Sequence, residues 1–201
     1  MDLVVLSGKG GTGKTTIAAA LSELARDVVR VDCDVDAANL YLYYPGEDIS
    51  TEDFYGGKVA TIHRDRCIEC GKCEQVCRFD AIENFKVDEL ACEGCGACVL
   101  ICPEDAIELE DEKAAQAFIT KLDGGILSRA EMEIGSDGSG LLITLLRKNV
   151  SKYYRGEELT IIDGSPGIGC PVIASITGSD AVLIVTEPSQ SGLLDLKRVV
   201  E

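Results

Sequence analysis

Eight cysteines in two runs of identical spacing constrain this chain more than any other feature. Cys67, Cys70, Cys73 and Cys77 form C-x2-C-x2-C-x3-C, and Cys92, Cys95, Cys98 and Cys102 repeat it. The repeat extends beyond the thiols: Gly71, Asp80, Ala81, Ile82 and Glu83 recur 25 residues on as Gly96, Asp105, Ala106, Ile107 and Glu108. Cysteines two or three residues apart pair poorly with one another but converge well on a metal. Zinc sites separate their C-x2-C pairs by a dozen or more residues, whereas these thiols crowd together four at a time. Ten cysteines in a 201-residue chain with α/β patterning read as a reduced, intracellular metalloprotein rather than a short disulfide scaffold.

The spacing is that of bacterial two-cluster ferredoxins, which the region resembles. In that arrangement three close thiolates bind three irons of a cubane and the fourth cysteine of each run reaches the other cluster. The resemblance implies two [4Fe-4S] clusters, one on Cys67, Cys70, Cys73 and Cys102, the other on Cys92, Cys95, Cys98 and Cys77. Cys102 is followed by Pro103, as the pattern requires, but Cys77 by Arg78; proline there shapes a turn, so the departure is expected to alter local packing and potential, not cluster occupancy. From Asp65 to Glu112 there are 14 acids and 4 bases, net −10 of the chain's formal −16. That charge fits an electron partner, donor or acceptor, with a basic face, and equally fits plain solubility.

Around this duplicated module the pattern is α/β. Leu3–Ser7 is a continuous apolar run of the kind a doubly covered parallel strand shows. A glycine loop follows, then helical spacing over Thr15–Ala25 and a second strand over Val28–Cys33. Residues 41–61, broken by Pro45, Gly46, Gly56 and Gly57, read as a linker. Beyond Glu112 the spacing predicts a strand over Ile126–Ile134, a helix over Leu141–Val150, strands at Leu159–Ile162 and Ala181–Thr186, and a helix from about Ser191. The expected organisation is an α/β parallel sheet flanked by helices, with an α+β ferredoxin-like domain inserted at 59–112. Residues 1–58 and 113–201 then form the frame, with about five strands and the C-terminal part of its fold expected to be missing.

Gly8-Lys9-Gly10-Gly11-Thr12-Gly13-Lys14-Thr15 satisfies two fingerprints at once. As G-x-G-x-x-G it fits a dinucleotide loop, with Asp32 where a ribose-binding acid belongs. As G-x-x-x-x-G-K-T it is a phosphate loop, and only that reading uses Lys14 and Thr15. A triphosphate needs successive backbone N–H groups, an ammonium at its β and γ oxygens and a hydroxyl on Mg2+. Asp163 ends an apolar run and opens the turn Asp163-Gly164-Ser165-Pro166-Gly167, while Asp32 and Asp34 end the second strand. Ligands of open α/β sheets bind at that carboxyl edge.

The motifs Lys9–Thr16, Asp32-Cys33-Asp34 and Asp163–Gly167 resemble the MinD/ParA-type branch of phosphate-loop ATPases, which includes the nitrogenase iron protein. The resemblance implies ATP and Mg2+ as cofactors, with Gly8, Lys9, Gly10, Gly11, Thr12, Gly13, Lys14, Thr15 and Thr16 around the nucleotide. Thr15, Asp32 and Asp163 would hold the magnesium shell, Asp34 would orient the attacking water, and Lys14 would bind phosphate. Lys9 would reach across a homodimer to the partner's nucleotide, against the plainer reading of a solvated loop lysine. The whole layout is similar to MinD-superfamily ATPases with an inserted ferredoxin domain. It implies ATP hydrolysis coupled to low-potential electron transfer or, alternatively, to iron–sulfur cluster assembly or carriage.

Composition sets the exclusions. The acidic balance, with a pI near 4.4, argues against non-specific nucleic-acid binding, which needs basic patches. The longest apolar runs are strand-sized, so no transmembrane segment is expected. Met1 leads straight into one of them without a basic stretch or cleavage site, so a cytoplasmic location is expected. Cys33 and Cys170 fit small buried hydrophobes better than a third metal site, and His63 has no assigned role.

Overall fold

The computed structural model describes residues 1–136, 139–153 and 158–201. Its contacts divide the chain into two compact units, Met1–Phe54 with Ala115–Glu201, and Tyr55–Ala114.

In the larger unit, four strands carry the site. These are β1 (Asp2–Ser7), β2 (Val28–Asp32), β8 (Thr160–Asp163) and β9 (Ala181–Val185). Among the described residues the sheet order is β3 (Glu47–Ile62), β6 (Ile107–Leu122), β7 (Gly125–Met132), β2, β8, β1, β9, and β7, β2, β8, β1 and β9 pair in parallel. Register matters here: Val5 lies beside Asp163, and Asp163 beside Asp32. Three strands therefore end together at their carboxyl edge.

Helices cover both faces of β1, β2 and β8, which is why those strands read as nearly unbroken apolar runs; β9, expected from its apolar run to be buried, is the sheet edge and mostly exposed. On one side α1 (Lys14–Leu24) buries Ala18 against Val5, Val28 and Ile161. On the other, α4 (Gly140–Val150) and α5 (Cys170–Ile176) bring Leu142, Ile143, Leu146 and Val172 onto Val4, Leu6, Val29, Val31 and Ile162. Successive strand residues point to opposite faces, so Val4 and Val5 serve different layers. The last helix, α6 (Gln190–Val200), is capped by Ser189, whose hydroxyl accepts from Gly192 N at 3.0 Å.

Two expectations need correction. The stretch read as a linker contains a 3-10 turn at Leu40–Tyr43 and a 16-residue strand, β3 (Glu47–Ile62). The sheet has seven strands rather than about five, because β3 and β6 (Ile107–Leu122) join it at one edge. Most of β3 is exposed. An edge strand tolerates Gly56 and Gly57, since its partner's backbone, not a buried side-chain stripe, holds it in place.

The smaller unit shows the 25-residue duplication in its backbone. Helix α2 (Lys72–Val76) matches α3 (Ala97–Ile101), each preceded by a left-handed glycine, Gly71 at φ 73° and Gly96 at φ 76°. Cys77 and Cys102 leave their helices at φ/ψ of −69°/115° and −71°/117°. The cysteine before Arg78 thus takes the same extended backbone as the cysteine before Pro103: a following proline pushes a residue toward that region, and it is open before arginine as well. A hairpin of β4 (Ile82–Glu83) and β5 (Lys86–Val87) completes the unit. Ala60, Ile82 and Ile107 pack with Cys73 and Cys98 into its small core.

Candidate functional site

The glycine loop joins β1 to α1, so the first-turn N–H groups of α1 face the loop's concavity. Gly13 sits at φ 90°, a conformation that only glycine adopts freely. A Cβ built at Gly10, Gly11 or Gly13 would meet nothing within 4 Å; the space beside the loop is open. Gly8 is the opposite case. A Cβ there would lie 2.6 Å from Asp195 Cβ and 2.8 Å from its backbone, so α6 rests directly on the start of the loop.

Lys14 is drawn into the strand edge. Its Nζ lies 2.7 Å from Asp163 Oδ1 and 3.1 Å from Asp34 Oδ2, with relative exposures of 5% for Lys14, 0% for Asp163 and 16% for Asp34. Burial alone would lower the lysine's pKa, but the two carboxylates outweigh it and raise it. Asp34 is raised by burial, with Lys14 opposing. Asp32 is pushed up to about 7, first by burial and then by the neighbouring Asp163. Backbone N–H groups of Asp34, Asn39 and Leu40 donate to its carboxylate at 3.2, 3.2 and 3.0 Å.

Three acids crowd one buried lysine, and among the described residues Asp163 Oδ2 and Thr12 Oγ1 are buried without a partner. A site with surplus negative charge and an unpaired carboxylate oxygen fits a cation. Among the described residues no three His, Cys, Asp or Glu side chains converge on one ion. Two carboxylates with the Thr15 hydroxyl suit Mg2+, which keeps several waters and few protein ligands. Thr16 is exposed on the first turn of α1.

Lys9 is engaged within its own chain. Its ammonium pairs with Glu187 and lies 3.4 Å from Ser191 Oγ. The Glu187 carboxylate also accepts from Ser189 Oγ at 2.7 Å, and these partners, Lys9 foremost, hold it below the usual carboxylate range. Sequence reasoning missed Glu187, Ser189 and Ser191. The available signal was their position just past β9, at the same carboxyl edge as Asp32 and Asp163. Ser165, also missed as an individual contact, donates to the Cys33 carbonyl and ties the Asp163 turn to the end of β2. Cys33 is fully buried, and burial pushes its thiol far up; Cys170 is exposed.

In the smaller unit the eight cysteines line two cavities. One is bounded by Cys67, Cys70, Cys73 and Cys102, the other by Cys77, Cys92, Cys95 and Cys98. Each takes three thiols from one run and the fourth from the other. Burial raises the Cys73 and Cys98 thiols, so a metal must supply the free energy that deprotonates them. Four thiols around the wall of a hollow fit a cage with an iron at each corner.

Comparison with known proteins bears on both units. Residues 60–109 match the family model described as a 4Fe-4S dicluster domain. Among solved structures, the septum site-determining protein MinD with Mg-ADP from Pyrococcus horikoshii aligns with TM-score 0.48 and 20% identity over 96% of this chain. This chain spans 60% of the length of that one. The uncharacterized protein MJ0578 of Methanocaldococcus jannaschii is 42% identical over 207 residues, covering 100% of this chain and 72% of MJ0578. The uncharacterized protein MJ0579 of the same organism is 30% identical over 212 residues, covering 100% and 74%. The chain therefore belongs to the family of MJ0578 and MJ0579, and it carries a 4Fe-4S dicluster domain.

Proposed function

We propose that this protein binds and hydrolyses ATP and couples the nucleotide cycle to low-potential electron transfer through two [4Fe-4S] clusters. The observation that carries the electron-transfer half is the pair of cavities, each with four cysteines: complete protein ligation suits a cluster that stays while electrons move. A cluster meant for delivery is better held by fewer or labile ligands. In this reading residues 1–58 and 113–201 form the nucleotide-binding body, and 59–112 the ferredoxin-like insert.

The chain's own residues do the following. Lys14, released from Asp163 and Asp34, meets the β and γ phosphate oxygens, while the loop N–H groups from Gly8 to Thr16 surround the phosphates. Thr15, Asp32 and Asp163 hold the metal shell, and Asp34, freed of Lys14, orients the attacking water. Bound Mg2+ supplies neutralisation of the phosphate charge. The Asp34 and Asp163 turns would be ordered around a bound γ-phosphate and freed after its hydrolysis, which would give the cycle two states to alternate between. Lys9 leaves Glu187 to reach the nucleotide of a second copy. The acidic insert meets a redox partner through that partner's basic face. The clusters supply one-electron redox chemistry, held by the cysteine sets named above.

Anaerobic purification followed by iron, sulfide and nucleotide quantitation on one sample tests the reading. About eight irons and eight sulfides per chain are expected, with reversible bleaching by a one-electron reductant and clusters retained through ATP turnover. ATP-dependent loss of iron to an apo-acceptor would replace electron transfer with cluster delivery.

A further inference from the structure

We propose that the two cysteine cavities are unequal seats for an electron. The one bounded by Cys67, Cys70, Cys73 and Cys102 lies at the higher potential, and Lys72 tunes it. The inference rests on the reading that each cavity holds a [4Fe-4S] cluster.

The duplication supplies an internal control. Gly71 and Gly96 match in dihedral angle, as do the exit turns at Cys77 and Cys102, and a five-residue helix lies between them in each copy. Cys73 and Cys98 are exposed to 7% and 8%, so desolvation of the innermost thiol is nearly the same in both. What differs is charge. Lys72 and Glu104 border the first cavity, where the repeat puts Ala97 and Phe79 at the second. Glu93 borders the second, where the repeat puts Ile68 at the first. The charged groups at the first wall sum to zero; those at the second sum to −1.

Each cluster gains one negative charge on reduction, and a neighbouring anion opposes that gain while a cation favours it. Ala106 N also donates to Cys102 Sγ at 3.3 Å, and an N–H directed at a ligand sulfur stabilises the reduced state. Both effects favour the Lys72 side. At equilibrium a single electron supplied by a low-potential one-electron donor would therefore rest on the cluster held at the Lys72 side, whichever side it entered.

An anaerobic redox titration of the full chain, followed by electron paramagnetic resonance with iron and sulfide counted on each sample, tests this. Two one-electron steps are expected, at least tenfold apart in reduction equilibrium, or about 59 mV. Lys72→Gln should lower only the upper step, and Glu93→Gln raise only the lower one, each by about two- to fivefold for an exposed charge near the cluster. Iron and sulfide short of two clusters would overturn the two-cluster reading itself. A full complement with coincident steps, or with Lys72→Gln acting on the lower step, would overturn the inequality while leaving that reading intact.

Discussion

Under the proposed function Lys14 has two incompatible partners, the carboxylates that hold it here and the phosphates of a nucleotide. Lys14→Ala should abolish ATP turnover and leave the brown chromophore intact, read by phosphate release and visible absorbance on one preparation. Normal hydrolysis by this variant would remove the phosphate-loop assignment. The same substitution strips Asp163 and Asp34 of their buried counter-charge, a loss worth about 3–5 kcal/mol where one partner of a buried pair is deleted. Denaturation of the nucleotide-free protein measures it. Asp32 sets a second residue-scale behaviour. Its carboxyl titrates near 7 rather than at 3.8, so between those values the folded chain holds a proton that the unfolded chain has released. Stability without nucleotide and Mg2+ should therefore fall as pH rises from about 4 to about 7 and not beyond. Asp32→Asn should flatten that window in denaturation midpoints. Mg2+ with ATP favours the ionised carboxylate, so its stabilising effect should grow across the same range.

At the scale of elements, the loop between β1 and α1 is built on contrasting glycines. Gly13→Ala meets open space but forces alanine to φ 90°, costing about 1–2 kcal/mol; its melting temperature should drop while the helix still forms. Gly8→Ala instead drives a methyl into the Asp195 backbone, so α6 must shift. Proteolysis within 187–201 should accelerate in Gly8→Ala and not in Gly13→Ala. What could be read in advance divides along similar lines. Buried strands declare themselves, because Leu3–Ser7 and Leu159–Ile162 are apolar on both faces and the sheet is covered on both. The edge strand β3 was hidden, since half-exposed residues and the pair Gly56-Gly57 carry no such signature; pairing with β6, distant in sequence, makes it a strand. The convergence of Asp32 with Asp163 was legible from strand ends. Glu187 was not singled out: its place past β9 puts it at the same carboxyl edge, but nothing local names it as the partner of a lysine 178 residues away.

For the whole molecule, the issue is whether one chain suffices for the nucleotide cycle. Lys9 is satisfied within its own chain by Glu187 and Ser191, on a surface where both charges are about two-fifths exposed. Such a pair contributes little net stability, so a triphosphate presented by a second copy, with several negative charges, can compete for the lysine. ATP with Mg2+ should then convert monomer to dimer when hydrolysis is blocked by Asp34→Ala, measured by sedimentation. Lys9→Ala should remain monomeric under the same conditions while still binding nucleotide. Glu187→Gln removes the competing carboxylate but retains hydrogen-bonding capacity, and it should dimerise at lower ATP than the Asp34→Ala parent carrying Glu187. Equal dimerisation of the Lys9→Ala chain would make the lysine a loop residue tied to its own glutamate and nothing more. Dimerisation unaffected by Glu187→Gln would leave the trans contact standing but show that the internal pair does not hold it back.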